Sequence, residues 1–109
     1  MDSLTALADP TRRQIVELLA KGERAAGEIT EQFAISAPAI SQHLKILREA
    51  GLVTVRVDRQ RRIYRLDPAG LGAIDAWLHQ VRQFWNASLD DLERELREAA
   101  MHDRERDRQ

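Results

Sequence analysis

The 109 residues predict a mainly α-helical fold carrying one β-hairpin, in the order helix, helix, short helix, helix, hairpin, long helix. Three observations carry that expectation. Capping residues introduce stretches with apolar side chains at helical spacing. Two short runs of β-formers flank a polar tip at residues 58–60. From Leu71 onward, apolar residues keep helical spacing as far as Ala99.

Each element has its own signal. Ser3 to Ala8 forms a short first helix with Leu4 and Leu7 on one face. Asp9-Pro10 opens the second, Asp as N-cap and Pro at the first helical position. Thr11 to Lys21 places Ile15, Leu18 and Leu19 at helical spacing before Gly22 ends it. A shorter helix, Ala25 to Phe33, buries Ile29 and Phe33. After the tight link Ala34-Ile35, Ser36 caps a fourth helix, Pro38 sits in its first turn and Gly51 stops it. Such links often carry glycine, and alanine in a left-handed conformation at residue 34 costs on the order of 1 kcal/mol relative to glycine.

Val53, Val55 and Val57 then alternate with Thr54, Arg56 and Asp58, and Ile63 to Leu66 returns as the second arm of a hairpin. Its tip lacks the Asn-Gly or Asp-Gly pair that best marks such turns. Pro68 and Gly70 introduce the long helix, whose stripe runs Leu71, Ile74, Leu78, Val81, Trp85, Leu89, Leu92, Leu96, Ala99 with a phase shift near Ser88. Residues 1–101 read as one domain and residues 102–109 as a charged, disordered tail.

Composition bounds the function. There is no cysteine, hence no disulfide framework and no thiolate metal site, which points to a cytoplasmic protein. No apolar run approaches the roughly 18 residues that cross a bilayer, so no membrane partner is expected. The N-terminus lacks the basic and long apolar regions of a signal peptide. The net charge of −1 conceals an asymmetry: residues 1–66 hold 11 basic against 8 acidic side chains, and residues 67–109 hold 6 against 10. Between Ala37 and Leu66 the count is seven basic against two acidic. The partner of the front half is therefore expected to be anionic.

The short helix and the capped helix behind it lie about three residues apart, the spacing of a helix-turn-helix, and a basic hairpin directly after them makes it winged. In the second of these helices Ile40, Leu44 and Leu47 form a core face. The opposite face carries Pro38, Ser41, Gln42 and Lys45, with Ala37 beside them. Small residues allow close approach, Ser and Gln hydrogen-bond base edges, and Lys neutralises phosphate. Ser36 and the free N–H groups of the first turn add a phosphate site. Arg59, Arg61 and Arg62 at the hairpin tip suit phosphate contacts or the minor groove. These residues predict binding to double-stranded DNA.

Catalysis has no candidates. Ser41 and His43 are two apart on a helix and cannot form a nucleophile–base pair, and neither a Gly-rich phosphate loop nor a His-Glu-x-x-His pattern is present. His43 borders the apolar stripe and reads as a packed or hydrogen-bonded residue. The long helix has more apolar surface than three short helices and a hairpin can cover. Part of it is expected to close over its own core and part to meet a second copy, with Leu4, Leu7, Leu71, Ile74, Leu78, Val81 and Trp85 in that interface.

The stretches ALADPTRRQIVELL (Ala6 to Leu19), SAPAISQHLKILREAGLV (Ser36 to Val53) and RRIYRLDPAGL (Arg61 to Leu71) together resemble the ArsR/SmtB family of winged-helix regulators. WLHQVRQFWNASLDDLERELRE (Trp77 to Glu98) looks like the last helix of its cysteine-free, SdpR-like branch. The resemblance implies a homodimer, formed through the first and last helices, that binds an inverted-repeat operator, usually as a repressor. It would put base contacts on Ala37, Pro38, Ser41 and Gln42, and phosphate contacts on Ser36, Lys45 and the wing arginines. Arg12 or Arg13 would either reach the DNA backbone or form a surface ion pair. The family's thiolate positions fall on Ala25 and Gly27, which cannot ligate, and the last helix offers only Asp75 and His79 with His102 far beyond them. Neither a metal nor a cofactor is expected, and no residue identifies an inducer. An activator, or a winged helix that docks a protein, remains the alternative.

Overall fold

The computed structural model describes residues 1–107, and the chain divides into one unit ending at Ile74 and a second beginning at Asp75. In the first unit, α1 spans Ser3–Ala6, α2 Pro10–Ala20, β1 Arg24–Ala25, α3 Ala26–Glu31, α4 Ala37–Glu49, β2 Val53–Asp58 and β3 Arg61–Leu66. The last helix, α5, runs Pro68–Asp107 and starts in this unit.

The predicted N-caps Asp9 and Ser36 both act, and Asp2 and Asp67, not singled out from sequence, cap their helices as well. Asp2 Oδ1 accepts from the Thr5 N–H at 2.7 Å, and Asp9 Oδ1 accepts from Thr11 and Arg12 at 2.8 and 3.1 Å. Ser36 Oγ accepts from the Ala39 N–H at 3.3 Å, and Asp67 Oδ1 from that of Ala69 at 3.0 Å. Each satisfies N–H groups that have no partner inside their own helix. Helix α4 ends in a Schellman turn. Gly51 takes φ +79°, its N–H donates to Arg48 O at 3.0 Å, and the Leu52 N–H donates to Leu47 O at 3.0 Å.

One element was not anticipated. Residues Arg24 and Ala25 form a strand, pairing with Tyr64 and Ile63, so the hairpin belongs to a three-stranded antiparallel sheet in the order β1-β3-β2. Ala25, expected to begin the short helix, is instead the strand residue before it. Alanine has no side-chain oxygen to cap with. The reverse half of a capping box holds the helix start, the Ala25 N–H donating to Glu28 Oε1 at 3.0 Å.

The core is made where α1 to α4 meet the sheet. Ile15, Ile29, Ile40, Leu44, Leu47, Leu52 and Val53 are fully buried, with Ala6 and Tyr64 beside them. Leu71 and Ile74, in the opening turns of α5, are half-buried against this cluster. Gly70 comes closer still. A β-carbon there would lie 1.9 Å from Gly51 O, so the first turn of α5 rests directly on the backbone of the turn that ends α4.

In the second unit, α5 continues unbroken past Ser88, and every described residue from Asp75 onward is exposed. It also continues beyond Met101, where the sequence suggested a change to a disordered tail. Residues 102–107 are helical, and Arg108 and Gln109 lie outside the described residues. The stretch is rich in Arg, Glu and Asp, and intrahelical pairs such as Arg94–Asp91 at 2.8 Å and Arg97–Glu93 at 3.1 Å line the same helix.

Candidate nucleic-acid interface

Helix α4 sorts its residues as its periodicity requires. Ile40, Leu44 and Leu47 are buried, whereas Ala37, Pro38, Ser41, Gln42 and Lys45 are exposed. Pro38, Ser41, Gln42, Lys45 and Arg48 line a shallow depression of about 370 Å³ that Arg62 of the hairpin closes from the other side, over buried Tyr64. Helix face and wing therefore form one continuous polar surface. Arg48 was not among the predicted site residues. Its signal was present, because positions 38, 41, 45 and 48 recur at the same helical spacing.

Ser36 caps α4 with its oxygen, which leaves its hydroxyl hydrogen free to donate. Pro38 has no N–H, so it removes one first-turn donor from the anion site expected at this helix start.

The pleat separates the wing arginines. Adjacent strand residues face opposite sides. Arg61 pairs with Glu28 on α3 at 2.9 Å, whereas Arg62 borders the α4 depression. Arg56 is similarly tied to Glu23 at 2.7 Å, and Arg65 Nε donates to Thr54 Oγ1 at 3.2 Å. Among the described residues, Arg59, Arg62 and Arg65 enter no ion pair. Arg59 holds φ +59° at the first of two tip residues, where glycine is the usual choice. Arg59, Arg61 and Arg62, predicted as one cluster, thus occupy different settings.

The two candidates at the start of α2 also part. The Arg12 side chain is 12% exposed; Nε donates to Ala6 O at 2.6 Å, and Nη1 lies 3.4 Å from His43 Nδ1. A guanidinium only donates, so Nδ1 of His43 accepts there. One arginine thereby links α1, α2 and α4, and His43 is a hydrogen-bonded residue at the core's edge. Asp9, 4.0 Å from the same guanidinium, is held below its ordinary carboxyl value. The Arg12 N–H is the chief cause, followed by that of Thr11 and the positive charge of Arg12. Arg13 is exposed.

The proposed interface residues divide between core and surface. Leu7, Leu71 and Ile74 are half-buried, whereas Leu4, Leu78, Val81 and Trp85 are 41%, 40%, 43% and 61% exposed. Trp77, Phe84, Leu89 and Leu92 of the same helix are exposed as well. Among the described residues no three metal-capable side chains converge, and Asp75 and His79 are exposed one helical turn apart.

Residues 9–55 match the family described as bacterial regulatory protein, arsR family. Over 84 residues the chain is 50% identical to the HTH-type transcriptional regulator Rv2034 of Mycobacterium tuberculosis, which covers 77% of this chain and 76% of the relative. The chain belongs to the arsR family of bacterial regulatory proteins. The chain is also 41% identical to the transcriptional repressor SdpR of Bacillus subtilis, over 67% of this chain and 81% of the repressor. The homodimeric winged helix-turn-helix DNA-binding domain Mb0332 of Mycobacterium bovis superposes with a TM-score of 0.60 at 33% identity. That likeness covers 72% of this chain and 73% of the other. The arsR-family match includes α2 through the first half of β2 and so takes in the whole of α4.

Proposed function

We propose that this arsR-family chain is a sequence-specific DNA-binding repressor that acts as a homodimer on an inverted-repeat operator. The observation that carries the reading is the single polar surface made by Pro38, Ser41, Gln42, Lys45 and Arg48 with Arg62 at its rim. Ala37, Pro38, Ser41 and Gln42 contact base edges in the major groove; Ser36, Lys45 and the wing arginines Arg59, Arg61 and Arg62 hold phosphate. The exposed apolar residues of α5, with Leu4 of α1, meet a second copy. A two-fold pair sets its reading helices about 34–36 Å apart, one turn of duplex. Occupancy of an operator overlapping a promoter excludes polymerase.

The chain works in the cytoplasm, performs no catalysis and takes no cofactor. Metal is not its signal: Ala25 and Gly27 have no side-chain donor atoms at the positions where the family resemblance puts thiolates.

Footprinting on duplex around the protein's own gene would supply the operator. On that duplex, at fixed salt, Gln42→Ala costs about 1–3 kcal/mol and relaxes specificity at one base step, while Lys45→Ala weakens binding to all sequences. Unchanged titrations for both variants would remove the assignment. A bound operator whose transcription rises with the protein would make the chain an activator.

A further inference from the structure

Helices α3 and α4 and strand β3 leave a groove of about 310 Å³ where they meet, lined by Gly27, Thr30, Ile40, Ser41, Tyr64 and Arg62 among others. Ile40 and Tyr64 are buried, as is Leu44 beside them, so the floor is largely apolar. Thr30 Oγ1 donates to Ala26 O at 3.0 Å, which ties its hydroxyl to its own helix and leaves the methyl group as wall. Gly27 keeps the groove open, since a β-carbon there would meet nothing within 4 Å.

The rim is polar. Ser41 on α4 and Arg62 on the wing are both exposed. Among the described residues Arg62 enters no ion pair, although Glu28 and Glu31 line the adjoining depression with it. Glu28 is already held by Arg61 at 2.9 Å. A guanidinium is a planar fork of donors that matches a carboxylate in bidentate geometry. An apolar floor with a few polar groups at its edge, in a space of roughly 300–1,000 Å³, is the usual make-up of a small-molecule site.

We infer that this groove takes a small carboxylate with an apolar body, and that the bound ligand releases the protein from DNA. The carboxylate sits on Arg62 and the Ser41 hydroxyl, and the body lies over Ile40, Leu44 and Tyr64. The releasing step rests on the DNA reading above, in which Arg62 holds phosphate and Ser41 a base edge. Ligand and duplex then need the same two side chains, so each weakens the other by the same factor. An inorganic anion has the charge but nothing to lay on the floor, and a neutral isostere has the body but nothing for Arg62.

NMR of the isotope-labelled native chain tests the site without DNA. Benzoate and hexanoate should shift the amide signals of Gly27, Ser41 and Arg62, whereas acetate, which lacks the body, and benzamide, which lacks the charge, should not. On operator duplex, saturating benzoate or hexanoate should weaken binding at least about fivefold, the low end of ordinary coupling between two ligands. Acetate at equal concentration keeps the ionic strength constant. Gly27→Leu puts a side chain of high helix propensity into the groove, at a position not assigned to DNA. It should bind the duplex as the native chain does and lose both the shifts and the release. The native titrations stand even if that variant folds poorly. Absent shifts with both carboxylates, equal shifts with benzamide, or release that persists in Gly27→Leu would overturn the site, and shifts without release would overturn the competition. A native chain that binds no duplex even without carboxylate ends the DNA reading, whereas one that binds duplex but shows no shifts ends only the ligand site.

Discussion

Asp9 and Arg12 show how much a single turn of helix can carry. Asp9 caps α2, stands beside Arg12 and is held below the ordinary carboxyl value of 3.8. A carboxyl whose folded value is depressed adds stability above its unfolded value and loses it as pH falls through the folded one. Asp2, depressed chiefly by the Thr5 N–H, acts in the same direction. The thermal midpoint of the native protein should therefore fall between about pH 5 and pH 2. Asn caps nearly as well as Asp but does not titrate, so Asp9→Asn should flatten that acid limb and approach the native midpoint near its lower end. Melting curves by circular dichroism across the range check it, and an unaltered limb would show that Asp9 does not contribute. The cap itself was legible, because Asp-Pro before an apolar helical stretch is a local signal. The tie from Arg12 to His43 was not, since partners 31 residues apart leave no trace in spacing.

Among the elements, α1 to α4 emerged within about two residues of their predicted ends, whereas α5 ran six residues past Met101. The strand β1 did not emerge from the sequence. Two residues, Arg24 and Ala25, are too few to show alternation, and their pairing is supplied by Tyr64 and Ile63 on a distant strand. The hairpin was readable from its valines, but its tip was not, because Arg59 occupies a positive φ that a Gly would normally mark. The α4 face was legible in full except for Arg48, and the division of the wing arginines required the pairing register. Gly70 read only as a helix opener, whereas its role is contact. Gly70→Ala places a β-carbon 1.9 Å from Gly51 O. Overpacking of about 1–3 kcal/mol outweighs the helix-propensity gain of up to about 1 kcal/mol. Gly72→Ala, with nothing within 4 Å of the added carbon, should be neutral or stabilising. Urea unfolding of both variants tests the contrast, and equal midpoints would rule out the close approach.

Across the whole molecule, charge follows function. The basic excess between Ala37 and Leu66 lies in the stretch that carries the proposed DNA interface, while residues 67–109 are net acidic. Within the wing, Arg62→Ala should lower the slope of log affinity against log salt by about 1. Arg61→Ala should lower it by less, because Glu28 already neutralises that guanidinium at 2.9 Å. Identical slopes for the two variants would mean that the ion pair opens freely on DNA. The contact between Gly51 and Gly70 has a consequence for anyone rebuilding this scaffold. Backbone resting on backbone has no rotamers with which to absorb a misfit. A chimera given a foreign reading helix in place of residues 37–51 must import a terminus whose carbonyl lies where that of Gly51 does, or leave the long helix without its seat.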